Sequence, residues 1–225
     1  NSTNFDNTTI INCELTSDDV SSKGIYVDVA NNCTLINNTI IASGYDGIFL
    51  GSSMCEITEN NISITGTNNA YAIHLSQSDG ATITNNYLST SVSSFTSNSD
   101  AVLIGASDNV VIANNTVVTN RECGLELASS SNASLYDNAF TTTTDSAICL
   151  SGDAIAYYNH TISATNLEDG APINYTFNSP HTVYDGLNNN YGQMIIAWSD
   201  NFTIQNSNIS HDGILVLRSN NFTLK

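Results

Sequence analysis

Basic residues are what this chain has least of: 4 Lys plus Arg stand against 21 Asp plus Glu, giving a net charge of -17 over 225 residues. Nucleic acids and anionic lipid surfaces are bound through Lys/Arg patches, so neither is expected as a partner. No apolar run approaches the roughly 18 residues that a membrane-spanning helix needs. Only 2 Pro occur, and the 5 Cys form neither a CxxC pair nor a Cys/His cluster, which leaves zinc and iron–sulfur sites without support. The odd cysteine count leaves at least one thiol free or paired with another chain. Charged residues make up only 11% of a chain that is 40% hydrophobic, a combination that excludes disorder. The first residue is Asn1 instead of Met, as expected of a processed or trimmed chain.

What is abundant is small and polar: 33 Asn and 54 Ser plus Thr. Many of these belong to a repeated phrase, I-x-N-N-x-I. It occurs at Ile10–Leu15, Leu35–Ile40, Ile57–Ile62, Ile83–Leu88, Ile112–Val117, Leu135–Phe140 and Ile204–Ile209, with a degenerate copy from Tyr157 to Ile162. A second phrase, small-apolar-x-apolar, precedes the first by nine or ten positions, as in Gly24-Ile25-Tyr26-Val27, Gly47-Ile48-Phe49-Leu50 and Ala72-Ile73-His74-Leu75. Its first apolar residue recurs at Ile25, Ile48, Ile73, Val102, Leu125 and Ile148, then at Met194 and Ile214. The interval from Ile148 to Met194 is twice the usual step and reads as two turns.

Apolar and polar residues alternate within each phrase, which is strand periodicity, and the Asn, Gly and Ser-rich breaks are turn chemistry. Short strands returning to one register every ~23 residues describe a parallel β-solenoid, with strands of successive turns about 4.8 Å apart. Asn38, Asn60, Asn86, Asn115 and Asn138 then stack in one column. The expectation is that they occupy the bend, where Asn tolerates the left-handed conformation, and bond to one another as an asparagine ladder. Cys33 and Cys55 each stand two positions before the first apolar residue of the phrase on adjacent turns, so a disulfide is expected between them. Cys123 and Cys149 are offset by three positions, roughly 10 Å along an extended strand, which is too far for a bond.

These repeats resemble the right-handed parallel β-helix superfamily, in particular NosD-like and pectin-lyase-like repeat proteins of archaeal cell surfaces. The most specific stretch runs from Tyr158-Asn-His-Thr-Ile-Ser through Trp198-Ser-Asp-Asn-Phe-Thr-Ile204, which is similar to the irregular insert of such repeats. The resulting picture is an all-β, single-domain solenoid over residues 1–225, of about nine to ten turns, with an irregular insert around 163–192. The resemblance fixes fold much better than activity.

Enzymes of this superfamily that cleave acidic polysaccharide carry cation-binding acidic clusters with a basic residue, or Gly-His-Gly and Arg-x-Lys elements, and this chain has neither. Lys23, Arg121, Arg218 and Lys225 are scattered over different turns, and Lys23 and Arg121 read as solvated turn residues or local charge neutralisers. Asp46, Asp100, Glu122, Asp145 and Asp212 precede the first apolar residue of the small-apolar phrase by two or three positions and are expected to form a loose, exposed acidic column. Its readings are turn capping first, a Ca²⁺-type site second and paired-carboxylate catalysis last. The four His show no metal-ligand spacing, and copper is suggested only by the NosD name. No catalytic residue and no cofactor is expected, with Ca²⁺ the one open option.

Asn-x-Ser/Thr sequons stand at Asn1, Asn7, Asn32, Asn37, Asn61, Asn114, Asn132, Asn159, Asn174, Asn201, Asn208 and Asn221. They fit a secreted glycoprotein, with Asn37 and Asn114 read as too buried to modify. The function expected is structural: an extracellular subunit of a surface layer, sheath or filament on the cell envelope. It would self-associate through β edges in an amyloid-like manner, because neither end shows a capping sequence. The alternative is a carbohydrate-binding or polysaccharide-processing β-helix, recognisable by one face that gathers aromatic residues and carboxylates. Tyr26, Tyr45, Phe49, Tyr71, Tyr87, Phe95 and Tyr136 look too dispersed for such a face.

Overall fold

The fold is taken from a computed structural model, which describes residues 7–19, 23–66, 69–93, 99–144, 146–187, 191–207 and 213–225. It is an all-β parallel solenoid of about nine turns. In the main coil a turn contributes one strand to each of three sheets. The first sheet stacks Thr9–Ile11, Thr34–Ile36, Glu56–Thr58, Thr82–Thr84, Val111–Ala113, Ser134–Tyr136 and Thr161–Ile162. The second begins with Glu14–Ser17 and Thr39–Ala42 and reaches Ala139–Thr142 and Leu167–Glu168. The third holds Ile25–Asn31, Asp46–Ser53, Tyr71–Ser76, Val102–Gly105, Leu125–Ala128 and Ile148–Ser151.

The alternation seen in the sequence becomes an inside and an outside. Leu35, Ile57, Ile83, Ile112, Leu135 and Ile162 form one inward column. Ile25, Ile48, Ile73, Val102, Leu125 and Ile148 form another. All of these are buried, and each such side chain contributes about 1.5–3 kcal/mol of transfer free energy. The small residue opening the second phrase has a steric cause. A Cβ on Gly47 would lie 2.4 Å from Ile62 Cγ2 and 2.7 Å from the Ala72 carbonyl oxygen of the next turn.

The coil does not continue as two further regular turns beyond Ile148. The third sheet ends at Ile148–Ser151, a 3-10 turn follows at Ile155–Tyr158, and Ile162 pairs with Leu135. The degenerate phrase is therefore shifted: Ile162 is its first apolar residue and Asn166 its ladder residue, not Tyr157 and Asn159-His160. The left-handed pair Asp169-Gly170 then reverses the chain, and Ala171–Phe177 runs antiparallel to Leu167–Glu168. Gln193–Ala197 and Ile214–Leu217 follow it in parallel, and Val183–Asp185, Thr203–Gln205 and Thr223–Leu224 make a fourth sheet. This C-terminal coil has a shorter pitch, one turn leading from Ile173 to Gln193 and another from Thr203 to Thr223. Met194, Ile196, Phe202 and Ile204 form its own core, while Ile173, Ile195 and Ala197 pack on the core of the main coil. The Gln193 amide donates to the Ile148 carbonyl at 2.7 Å and accepts from the Ile148 N–H at 2.9 Å, standing in for the missing next strand. The end of the main coil is thus covered by its own chain.

Candidate functional site

The asparagine column is an internal structural device. Asn38, Asn60, Asn86, Asn115 and Asn138 are buried, and each donates from Nδ2 to the Oδ1 of the next, Asn138 reaching Asn166 at 2.8 Å. Each Oδ1 also accepts the backbone N–H of the ladder residue one turn before, so almost every polar atom is used. The left-handed residue is the one before: Asn37, Glu59, Asn85, Asn114 and Asp137 carry the positive φ. The bend therefore sits one position earlier than expected, and the ladder Asn is turned inward by it. A second ladder went unrecognised, in which Ala30, Ser52, Ser78 and Ser107 give their N–H groups to the hydroxyls of Ser52, Ser78, Ser107 and Ser130.

Cys33 and Cys55 are joined, with Cα atoms 4.4 Å apart. Cys123 and Cys149 are joined as well, at 5.9 Å. The larger separation expected for them assumed extended chain before Leu125, but residues 120–122 bend and the strand begins only at Leu125, so Cys123 curls over its neighbour. Cys13 is an exposed free thiol in the ladder position of the first turn, where its N–H donates to Asn38 Oδ1.

The acidic column is neither exposed nor continuous. Asp46 and Asp100 are both 3% exposed, and the pairings Asp46 with Tyr71 and Ile73 with Val102 place a whole turn between them. Asp46 is neutralised by Lys23, whose Nζ lies 2.8 Å away, and faces His74 Nδ1 at 3.5 Å. Asp100 accepts the Cys123 N–H at Oδ1, while its buried Oδ2 meets no donor and looks toward the Glu126 carboxylate. Burial first, then the nearby Glu126 and Glu122 charges, push its pKa up to about 8, so Asp100 is mostly protonated at neutral pH. Glu122 is half-buried, and Asp145 and Asp212 lie outside the described residues. Among the described residues no group of three His, Cys, Asp or Glu side chains is placed to hold a metal ion, so Asp46, Asp100 and Glu122 do not gather around one.

What does assemble is the outer face of the third sheet. The variable position of the small-apolar phrase puts Tyr26, Phe49 and His74 in one outward row across three turns. Tyr26 stacks on Phe49 with ring centres 4.9 Å apart, and His74 meets Phe49 edge-on at 4.9 Å and Tyr71 at 5.1 Å. Of the two readings of Lys23 the structure takes the charge neutraliser: besides meeting Asp46, its Nζ stands 3.8 Å from the Phe49 ring centre and 5.0 Å from that of Tyr26. Beside the row opens a cleft of about 380 Å³ lined by Lys23, Tyr45, Asp46, Asn69, Tyr71 and His74. Burial and the Asp100 and Asp46 charges raise the Tyr71 hydroxyl pKa well above the usual phenol value, keeping it a neutral donor. Four of the seven aromatic residues judged dispersed therefore meet on one face; Tyr87 and Tyr136 lie on other sheets, and Phe95 is outside the described residues.

Of the other histidines, His160 is buried with both ring nitrogens engaged. Nδ1 accepts the Ala133 N–H, and Nε2 donates to the Tyr157 carbonyl. Burial lowers its pKa to about 4, so it is neutral at pH 7. The sequons Asn7, Asn32, Asn61, Asn132, Asn159, Asn201 and Asn221 are exposed, and Asn174 is half-buried. Asn37 and Asn114 are exposed as well, contrary to expectation, because the left-handed bend turns them outward. Asn1 and Asn208 lie outside the described residues. No described helix is long and apolar enough to cross a membrane.

One family model matches residues 1–174, that of the periplasmic copper-binding protein NosD. No curated protein and no solved structure matches the chain. Among the described residues the donor set does not fit copper: His181 is exposed in the C-terminal coil, no three candidate side chains gather, and His211 lies outside those residues. His74 is engaged with Asp46 and two rings, both nitrogens of His160 are used, Met194 is buried in the C-terminal core, and Met54 and the Cys13 thiol are exposed on separate turns.

Proposed function

This chain belongs to the NosD family, an extracytoplasmic β-helix family, and on that premise we propose that it is a carbohydrate-binding β-helix protein that does not alter its ligand. The observation that carries this is the row Tyr26, Phe49 and His74 beside the cleft of Lys23, Asp46 and Tyr71. Aromatic faces pack on the C–H faces of pyranose rings, and a carboxylate, an ammonium and a phenol at the margin suit sugar hydroxyls. The row runs along the solenoid axis, which suits consecutive sugar units of a chain. A neutral glycan is the better ligand, because the net charge of -17 repels polyanions. Binding without turnover is favoured because hydrolysis needs two reachable carboxyl groups. Asp46 is tied to Lys23, and Asp100 is sealed from solvent.

Calorimetric titration with neutral oligosaccharides tests the reading. Micromolar to millimolar binding is expected, weakened at least tenfold by Phe49→Ala, with no product released. No binding to any neutral glycan, or sugar release that Asp46→Asn abolishes, would overturn it. Self-assembly into a surface layer, sheath or filament is the second reading, favoured by the exposed Cys13 thiol beside the strand Thr9–Ile11. A scattering mass that stays monomeric under oxidising conditions would remove it.

A further inference from the structure

The sequons are not spread evenly over the coil. Asn7, Asn32, Asn132 and Asn159 each stand two positions before a first-sheet strand, and those strands open on the sequon hydroxyl residues Thr9, Thr34, Ser134 and Thr161. Asn201 and Asn221 hold the same place before Thr203–Gln205 and Thr223–Leu224 in the C-terminal coil. All six side chains are exposed. They form stacked pairs. The Asn7 N–H donates to the Asn31 carbonyl, that of Asn132 to Asn159 and that of Asn201 to Asn220, each at 2.9 Å.

This corner directly follows the third sheet in the chain, so it borders the aromatic face. Three consecutive turns interrupt the sequons there. Met54, Gly80 and Asn109 hold the corner, with Glu56, Thr82 and Val111 two positions on, and none of the three is a sequon. Of their third-sheet strands, Asp46–Ser53 and Tyr71–Ser76 bring Asp46, Phe49, Tyr71 and His74, and Val102–Gly105 is the next turn beyond them; Tyr26 lies one turn before, on the strand that leads to Asn32. Corner geometry explains Asn at positive φ, as at Asn109, but does not require the hydroxyl residue, since Glu56 and Val111 serve in the same register.

We propose that this corner is a line of N-linked glycosylation that stops for three turns to leave the Phe49 and His74 part of the aromatic face open, and that each stacked pair carries one glycan. The donor class is a polyprenyl-phosphate-linked glycan. Asn Nδ2 bonds to its anomeric carbon, the carbon–oxygen bond to phosphate breaks with the electron pair leaving on the phosphate, and the amide loses one proton. One glycan per pair follows from spacing. Neighbouring turns are about 4.8 Å apart, so a pyranose on one amide covers the next. Asn159 and Asn221 donate from Nδ2 to the Oδ1 of Asn132 and Asn201, which makes the two acceptors the modified members.

Intact-mass and glycopeptide measurements on the chain purified from its source cells test this, and expect glycan on Asn132 and Asn201 and never on both members of a pair in one molecule. Six unmodified column asparagines, or a doubly modified pair, would overturn it. The open window rests on the carbohydrate reading and has its own test, the double variant Met54→Asn/Glu56→Thr made in the same cells. Met54 is 67% exposed and already at positive φ, so Asn fits there. One added glycan by mass and at least tenfold weaker oligosaccharide binding are expected. A folded variant that gains no glycan counts against the column, and one that gains it without losing affinity counts against the window. If the parent chain binds no oligosaccharide, the carbohydrate reading falls, while the mass measurements still decide the column.

Discussion

The main coil and the C-terminal coil solve the same stacking problem with different means. Both repeat short parallel strands, but the ladder residues of the main coil are 22 to 29 positions apart, whereas the serines linking turns of the C-terminal coil are 20 apart. The longer turn encloses its core with three sheets and the shorter one with two. The main coil ties its turns together with a buried amide ladder and two disulfides in addition to its serine ladder. The C-terminal coil has hydroxyl links, Ser179 and Ser199 giving their N–H groups to Ser199 and Ser219, and its strand Ile214–Leu217 is only half-buried. The family match ends at residue 174, just past the hairpin at which the chain reverses. The difference separates a self-sufficient rod from a cover: Gln193–Ala197 is buried on both faces because one of them lies against the main coil.

If the amide ladder is what locks the main coil, cutting it should cost more than any single change in the C-terminal coil. Asn86→Leu removes the acceptor for the Asn60 amide and N–H, and the donor to the Ile57 and Thr84 carbonyls and to Asn115. Several buried polar groups lose partners at once, so a loss of about 3–5 kcal/mol is expected in urea unfolding. A loss below about 1 kcal/mol would show that the column is not what holds the turns. Reduction of the disulfides comes next. They close sequence separations of 22 and 26, for which chain entropy gives about 3 kcal/mol each. Dithiothreitol should lower the melting temperature of the main coil, and a melting curve unchanged by reductant would contradict that.

How legible this was in the sequence depended on whether a feature repeats in adjacent turns. The apolar columns and ladder asparagines recur with fixed internal spacing in the five successive turns of Asn38, Asn60, Asn86, Asn115 and Asn138, so fold class and register could be read directly, and the Cys33 and Cys55 alignment with them. Which of two adjacent residues, Asn37 or Asn38, takes the bend is a dihedral matter that spacing leaves open. Cys149 was misjudged because reach across a bend differs from reach along a strand. The aromatic face was hidden because each turn supplies only one or two of its residues, and Lys23, Tyr26, Phe49, Tyr71 and His74 are never neighbours in the chain. The signal was present in the variable position of Ile25-Tyr-Val27, Ile48-Phe-Leu50 and Ile73-His-Leu75. The reversal at Asp169-Gly170 was hidden because strand-like residues flank it on both sides.

Two buried groups of the main coil make its pH dependence distinct from that of the C-terminal coil. Asp100, protonated up to about pH 8 in the folded state against an ordinary 3.8, contributes stability that is full below 3.8 and is lost as pH rises to 8. His160, at about 4 against 6.5, contributes stability that is full above 6.5 and is lost as pH falls to 4. Each slope is about 1 kcal/mol per pH unit, so they oppose between pH 4 and 6.5 and leave a net decline from 6.5 to 8. Asp100→Asn keeps an oxygen for the Cys123 N–H and offers a donor to Glu126. It should stabilise the protein by about 1–3 kcal/mol at pH 8 and abolish the decline above 6.5 in denaturant titrations. A variant that still declines there would place the titrating group elsewhere.

The smallest expected effect tests the hydroxyl ladder of the C-terminal coil. Ser199 is buried; its hydroxyl accepts the Ser179 N–H at 3.1 Å and donates to the Ala197 carbonyl at 3.0 Å, while its own N–H goes to Ser219. Ser199→Ala leaves the backbone bond in place and removes both hydroxyl bonds. The Ala197 carbonyl is two positions away in a strand already paired on both sides, so the main cost is the unpartnered Ser179 N–H. Ser179 lies in a half-exposed bend that water can reach, which holds the loss to about 1 kcal/mol. Hydrogen exchange gives the sharper readout. Faster exchange is expected at Ser179 and in Gln193–Ala197, with no change at the Asn60 and Asn86 amides of the main coil. Faster exchange along the asparagine ladder would mean that the two coils unfold as one unit and that the C-terminal coil is part of the rod.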